Sequence, residues 1–218
     1  MRHSSATYTL NESIFEKCDT ADKAYWIGFI MADGYIIQQP HKKQWFGMKL
    51  HPRDKYHLEN LRDFVGSSAP IRLEKHKKYV YLYLCSNRFC RTLNKYGIVP
   101  RKSGKEQINH IPKRFLEDFI RGYMDGDGGF YWVKQGENRA SQLGFCIFSS
   151  SVKLLHQIQR ILSKLCGVRE DVVLTDANGV LKMEYRGNKQ ARRIWDTLYY
   201  TNDALCLYRK YDKVVSGG

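Results

Sequence analysis

No apolar run in this 218-residue sequence approaches the ~18 residues of a membrane span, and its start, Met1-Arg2-His3-Ser4-Ser5, lacks the apolar stretch of a signal peptide. The protein is therefore expected inside the cell, in cytoplasm or nucleoid, neither secreted nor partnered with a membrane. Its six cysteines, Cys18, Cys85, Cys90, Cys146, Cys166 and Cys206, form no CxxC pair. Reduced, mostly buried thiols are expected, and a zinc site is not. The seven histidines lack the i, i+4 spacing of a helical metal site and take no ligand role here. Acidic residues are scarce, with 22 Asp and Glu against 36 Lys and Arg, a formal charge of +14. So one-sided an excess points to a polyanionic partner, nucleic acid ahead of a membrane surface.

What is present is a duplication. Trp26-Ile-Gly-Phe-Ile-Met-Ala-Asp-Gly34 and Ile120-Arg-Gly-Tyr-Met-Asp-Gly-Asp-Gly128 read alike at an offset of 127 − 33 = 94. Downstream, Phe46-Gly-Met-Lys-Leu50 matches Leu143-Gly-Phe-Cys-Ile147 at 97, a drift that fits a longer hairpin loop. Leu61-Arg-Asp-Phe-Val-Gly66 matches Leu162-Ser-Lys-Leu-Cys-Gly167 at 101, which predicts about one extra helical turn in the second copy. At the same 101, Ile71-Arg-Leu and Val80-Tyr-Leu-Tyr-Leu84 align with Val172-Val-Leu and Leu181-Lys-Met-Glu-Tyr185, each alternating with period two like a half-buried hairpin. A last helix from Asn87 matches one from Asn188. The fold class is therefore α+β, a duplicated αββαββα unit with pseudo-twofold symmetry. The expected divisions are an N-terminal extension (1–23), a first repeat (24–98), a connector (99–110), a second repeat (111–213) and a tail (214–218). No Gly/Ser-rich linker separates the repeats.

In the first motif Ala24, Gly28 and Ala32 recur every fourth residue, and in the second Gly122 and Gly126 do. Each helix thus presents a stripe nearly bare of side chains, along which two backbones can approach closely. Tight packing alone does not account for the acidic residue at the end of each stripe. Asp33-Gly34 and Asp127-Gly128 put a carboxylate at each helix C-terminus, where the dipole is already negative. Packing the helices side by side brings these like charges together, which raises a pKa unless a cation intervenes. Carboxylate oxygens are the ligands a hard divalent ion such as Mg²⁺ prefers. Asp-Gly is also an ordinary turn. Two copies, each behind a small-residue stripe in so basic a chain, point instead to metal-assisted hydrolysis of a nucleic-acid phosphodiester.

These motifs, Phe119-Ile-Arg-Gly-Tyr-Met-Asp-Gly-Asp-Gly128 above all, resemble those of the LAGLIDADG homing endonucleases in their single-chain, two-motif form, over about Ala24 to Asp212. The first copy departs at Trp26 and Met31 but keeps Gly28, Ala32, Asp33 and Gly34. The resemblance implies a site-specific enzyme that makes a metal-dependent double-strand break in a long asymmetric DNA target. Asp33 and Asp127 would be the catalytic carboxylates and metal ligands, joined by the backbone carbonyls of Ala32 and Gly126, while Gly28, Ala32, Gly122 and Gly126 form the helix interface. Lys102, in Gly97-Ile-Val-Pro-Arg-Lys-Ser103, and Lys210, in Leu207-Tyr-Arg-Lys-Tyr211, would polarise water or stabilise charge. Polar side chains are implied where each second strand ends, in His51 to Asp54 and Ser149 to Ser151, with no single residue favoured. Mg²⁺ is the expected cofactor, with Mn²⁺ as substitute and Ca²⁺ supporting binding only.

The resemblance further implies that the two sheets form a saddle over the DNA major groove, which admits a two-stranded ribbon. Met48, Leu50, Leu82, Leu84, Phe145, Ile147, Leu181 and Met183 face the helices by alternation. That leaves Lys49, Arg72, Tyr81, Tyr83, Gln142, Lys182, Glu184 and Arg186 outward. With Ile36 and Phe130 inward, Tyr35, Gln39, Tyr131 and Gln135 join them. Lys42 and Lys43, in a basic hairpin tip, would touch phosphate. A monomer is expected, since each half offers the helix face the other needs. An intron-encoded or free-standing enzyme of a mobile element is favoured over an intein, whose terminal Cys/Ser and His-Asn are not seen. The alternatives are an RNA-binding intron maturase and a non-cleaving DNA-binding protein on the same fold.

Overall fold

A computed structural model describes residues 8–76, 78–134 and 141–217. The first unit runs α1 (Ala21–Asp33), β1 (Gly34–Ile37), β2 (Trp45–Leu50), α2 (Lys55–Phe64), β3 (Arg72–Leu73), β4 (Val80–Cys85), α3 (Asn87–Lys95). The second runs α4 (Leu116–Asp127), β5 (Gly128–Val133), β6 (Gln142–Ser149), α5 (Val152–Cys166), β7 (Thr175–Asp176), β8 (Leu181–Arg186), α6 (Asn188–Leu198), followed by α7 (Tyr208–Val215). The αββαββα plan expected from the sequence is thus present twice. Each unit has one antiparallel sheet, in the orders β1-β2-β4-β3 and β5-β6-β8-β7. One face of each sheet is sealed: Phe46, Met48, Leu82 and Leu84 in the first and Phe145, Ile147, Met183 and Tyr185 in the second are buried.

Local chemistry sets the element ends. Thr20, Ser86 and Ser151 accept from the backbone N–H groups of Lys23, Phe89 and Leu154, capping α1, α3 and α5. Gly167 stops α5 in the left-handed region at φ 63°.

Strand register corrects three details of the repeat alignment. Gly34 pairs with Met48 and Gly128 with Ile147, so with the motif offset kept at 94 the second strands match at 147 − 48 = 99, not 97. A two-residue slip returns every side chain to its own face, so the inward and outward assignments stand. The third strand of the second unit is Thr175–Asp176 rather than residues 172–174, because Thr175 pairs with Lys182 as Arg72 pairs with Tyr81. The reason is a tighter turn. Asn178 (φ 59°) and Gly179 (φ 83°) occupy consecutive left-handed positions, closed by Ala177 N–H to Val180 O at 2.7 Å. Finally, α5 has 15 residues and α2 10, but the 3-10 turn Pro52–Asp54 precedes α2 where α5 has its first turn. The second unit therefore gains little length; Pro52 stands at the first position of that turn, where a missing N–H leaves no hydrogen bond unmade.

Residues 8–20, before α1, pack against the first unit. Phe15 is fully buried, its carbonyl accepts from Tyr96 Oη at 2.9 Å, and Asn11 N–H reaches Val65 O at 2.9 Å. The stretch between the units runs along α5, where Gln157 Oε1 accepts from Ile108 N–H at 2.9 Å and Ser151 Oγ donates to Glu106 O at 2.6 Å. Among the described residues no helix is long and apolar enough to cross a membrane.

Candidate active site

Helices α1 and α4 meet along their glycines. A methyl on Gly28 would collide with the Phe119 carbonyl oxygen and lie 2.9 Å from Tyr123 N. One on Gly122 would strike the Tyr25 carbonyl and lie 3.0 Å from Phe29 N. The contacts are reciprocal and lie on backbone, which cannot step aside. At the C-terminal end of the seam, a methyl on Gly126 would run into Ala32 Cβ and lie 3.3 Å from Asp33 Oδ2. The Asp33 carboxylate therefore lies against the partner helix, where α4 ends in Asp127.

A lysine reaches the end of each helix. Lys102 Nζ donates to Ala32 O at 3.0 Å. Lys210 Nζ donates to four carbonyls, Asp125 O at 2.5 Å, Gly128 O at 2.7 Å, and Met124 O and Gly126 O at 3.3 Å each. Each ammonium thus meets the negative end of a helix dipole. The Ala32 and Gly126 carbonyls, expected as metal donors, accept here from the lysines; an amide oxygen keeps a second lone pair.

Electrostatics follow from burial. Asp33 is pushed up to about 6, first by burial and then by the charge of Asp127, against the pull of Lys210 and Lys102. Asp127 is also raised, first by burial; the lysines and a hydrogen bond from Tyr123 oppose this, and Glu106 adds to it. Burial holds Lys102 and Lys210 below the usual ammonium range, and the carboxylates partly restore them.

A buried polar network anchors the segment that carries Lys210. Tyr25 Oη donates to Asp125 Oδ2 at 2.8 Å, and Leu207 N–H donates to the same oxygen at 2.7 Å. His57 Nε2 lies 2.9 Å from Tyr25 Oη. The tyrosine has one proton and gives it to the carboxylate, so His57 donates from Nε2. Burial holds that imidazole near 3, and it stays neutral. Beside it, Arg209 grips Asp54 with Nε to Oδ1 at 2.7 Å and Nη2 to Oδ2 at 2.9 Å, tying α7 to the first unit.

The outer faces of the sheets hold most of the expected DNA-facing residues. Tyr35, Tyr81 and Tyr83 are half-buried there, with Tyr35 and Tyr83 hydroxyls 2.9 Å apart. Lys49 is exposed and reaches Glu74 at 3.5 Å; Arg72, Gln142 and Arg186 are exposed. Tyr131, Lys182 and Glu184 cluster, with Tyr131 Oη and Lys182 Nζ both on Glu184 Oε1 and Arg186 Nε on Oε2 at 2.7 Å. Gln39, Lys42 and Lys43 are exposed in the loop between β1 and β2, beyond the strand itself. Gln135 lies outside the described residues.

No protein-family model matches the sequence, and no curated protein matches it. Solved structures do. The I-SmaMI LAGLIDADG homing endonuclease bound to cleaved DNA aligns with TM-score 0.62 and 15% identity, covering 88% of this chain and 87% of that one. LAGLIDADG homing endonuclease I-GzeII in complex with its DNA target aligns with TM-score 0.59 and 13% identity, covering 89% and 88%. The chain has the LAGLIDADG homing endonuclease fold. I-SmaMI bound to an uncleaved target in the presence of calcium ions aligns with TM-score 0.52 and 16% identity, over 78% of this chain and 80% of that one.

Within this LAGLIDADG fold, several site residues escape sequence reasoning. Glu106 is 5% exposed, its Oε2 has no hydrogen-bond partner, and its charge acts on both Lys102 and Asp127. It lies between the repeats, where no second copy draws attention to it. Tyr123, beside Asp127, and the Tyr25–Asp125–His57 network sit in helices whose composition reads as core. Of the regions named only as polar strand exits, Asp54, Ser149 and Ser151 are buried.

Proposed function

We propose that the chain is a site-specific DNA endonuclease of the LAGLIDADG homing type, hydrolysing one phosphodiester in each strand of an asymmetric duplex. The observation that carries this reading is the pairing of Asp33 with Asp127 at the ends of two glycine-packed helices, each end also held by a lysine. A protein that only bound DNA would have no use for two half-buried carboxylates that repel each other and the phosphates alike.

The donor set fits a divalent cation. It consists of carboxylate and carbonyl oxygens, with Asp33 raised by burial and by the charge of Asp127, and a buried Glu106 oxygen unpartnered nearby. Among the described residues no three His, Cys, Asp or Glu side chains gather around one point. Two protein carboxylates with remaining positions left to water and phosphate is the pattern Mg²⁺ favours. Asp33 and Asp127 would hold it, and Mn²⁺ would substitute. It supplies activation of water and neutralisation of charge at the scissile phosphate.

The protein's own groups do the rest. Lys102 and Lys210, held at the helix ends, face the charge that develops on phosphate and leaving oxygen, and their depressed basicity suits proton exchange with water. The outer faces of both sheets, with Lys49 and Arg72 on the first and Lys182 and Arg186 on the second, bind the duplex, and Lys42 and Lys43 in the loop between β1 and β2 meet phosphate. The protein acts as a monomer, because the seam each unit needs is supplied by the other. The presence of calcium ions with uncleaved DNA in the I-SmaMI complex is consistent with Ca²⁺ supporting binding without cutting. The test is incubation with a randomised duplex library in Mg²⁺ and, separately, in EDTA. Recovery of one cut asymmetric site in Mg²⁺ alone is expected; intact DNA with Mg²⁺ and with Mn²⁺ would overturn the reading.

A further inference from the structure

On β4 the outward residues are Tyr81, Tyr83 and Cys85; at the repeat offset of 101 the outward residues of β8 are Lys182, Glu184 and Arg186. The second trio is internally wired. Glu184 has its side chain 15% exposed and takes three donors: Tyr131 Oη and Lys182 Nζ on one oxygen, Arg186 Nε on the other at 2.7 Å. Lys182 Nζ also lies 5.7 Å from the centre of the Tyr131 ring, which holds it close to the sheet. Its partners keep Glu184 below the usual carboxylate range and so charged. Arg186 differs from the others in that its side chain is 76% exposed.

Resting on the endonuclease function, we infer that Arg186, braced by Glu184, reads a guanine in the half-site under the second sheet. Bracing at Nε restrains the plane of the guanidinium and leaves its Nη donors, on a side chain 76% exposed, unengaged by Glu184. A fixed pair of parallel donors matches O6 and N7 of guanine, the two acceptors that only a G·C pair offers side by side in the major groove. The alternative target for an arginine is a phosphate, but the carboxylate beneath Arg186 repels an anion and does not repel a neutral base edge. Glu184 has three of its roughly four lone-pair sites taken by protein donors and its side chain only 15% exposed, so it acts here as the brace. Arg186 pairs across Gly144 to Tyr131, three residues along β5 from Gly128, so the guanine lies a few base pairs from the active centre. The first unit has Cys85 in the equivalent place, so the requirement belongs to one half-site only.

The experiment is selection of bound duplexes from a randomised library by the full chain in Ca²⁺, for wild type, Arg186→Ala and Glu184→Gln. Wild type should return one asymmetric site with a strongly preferred guanine in one half. Arg186→Ala should lose that preference by roughly ten- to a hundredfold while every other position keeps its base. Glu184→Gln, which retains the arginine and loses its charged brace, should weaken the same position alone. A wild-type site recovered unchanged by Arg186→Ala would overturn the guanine assignment and leave the endonuclease reading intact. Loss of preference at every position in both variants would overturn it too, by showing that the trio only supports the sheet. Absence of any preferred site for wild type would overturn both readings.

Discussion

The two halves of the molecule repeat the same plan and differ in where they tolerate change. At the helix ends the halves are nearly interchangeable: Asp33 with Lys102 on one side, Asp127 with Lys210 on the other, across a seam in which Gly28 and Gly122 play the same part. On the outer faces they have little in common. Tyr35 and Tyr83 share a neutral hydroxyl pair, whereas Tyr131, Lys182, Glu184 and Arg186 form a charged cluster. Packing constrains the seam from both sides at backbone level, while an outward strand position answers only to what it binds.

That comparison can be broken most sharply at the carboxylates. Asp33→Asn and Asp127→Asn should each lower double-strand cleavage by a hundredfold or more, leaving DNA affinity near wild type. Plasmid linearisation beside gel-shift titration measures both. Linearisation at wild-type rate by either variant would show that the two ends are not equivalent parts of one centre. A single-strand nick surviving in one variant would sharpen the comparison, since Tyr123 gives a hydrogen bond to Asp127 and meets Asp33 only through its charge.

At the seam, Gly28→Val and Gly122→Val should each destabilise the fold by at least ~1–3 kcal/mol, the usual range for overpacking. Cleavage by whatever protein remains folded should fall on the order of a hundredfold, because the carboxylates move apart. Chemical denaturation and single-turnover cleavage of both variants test this, and a large effect at one glycine with none at the other would deny the reciprocal contact.

A smaller effect concerns stability without metal. A carboxylic acid whose folded value is raised, as Asp33 is to about 6, is accommodated at full benefit below its unfolded value near 4. That benefit is lost as pH rises through 6, when burial of its charge must be met. In EDTA, Asp33→Asn should therefore melt higher than wild type at pH 7, by up to about 3 kcal/mol, and match it at pH 3.5. Equal melting at both pH values would mean that the charge is neutralised in some other way. Gain of stability on losing a charge of the proposed site is the trade expected where chemistry, not folding, chose the residue.

Much of this architecture is legible in the chain itself. The duplicated αββαββα order, the inward and outward faces and the meeting of two small-residue stripes all follow from periodicity and repetition. Period-two patterns are blind to a slip of two, which is why the linear pattern sets Met48 against Phe145 where the ladder sets it against Ile147. The Asn178-Gly179 pair is a turn on its residues alone, but its consequence for β7 depends on counting from the ladder. Glu184 reads as an outward donor or acceptor because nothing in a linear pattern says that Tyr131, Lys182 and Arg186 converge on it. Glu106 has no counterpart in the other repeat, and repetition is the main source of signal.

The reciprocal seam also bears on how much the chain's covalent continuity matters. Arg209 clasps Asp54 across the units, and Tyr25 reaches into the second unit through Asp125, so non-covalent ties join the halves at several depths. Arg101 and Lys105 are exposed in the connecting stretch. A tryptic nick at Arg101 or Lys105 should leave two fragments that still elute together on native size exclusion and separate only in denaturant. Elution as independent pieces would show that the connecting peptide, rather than the helix interface, keeps the halves in place.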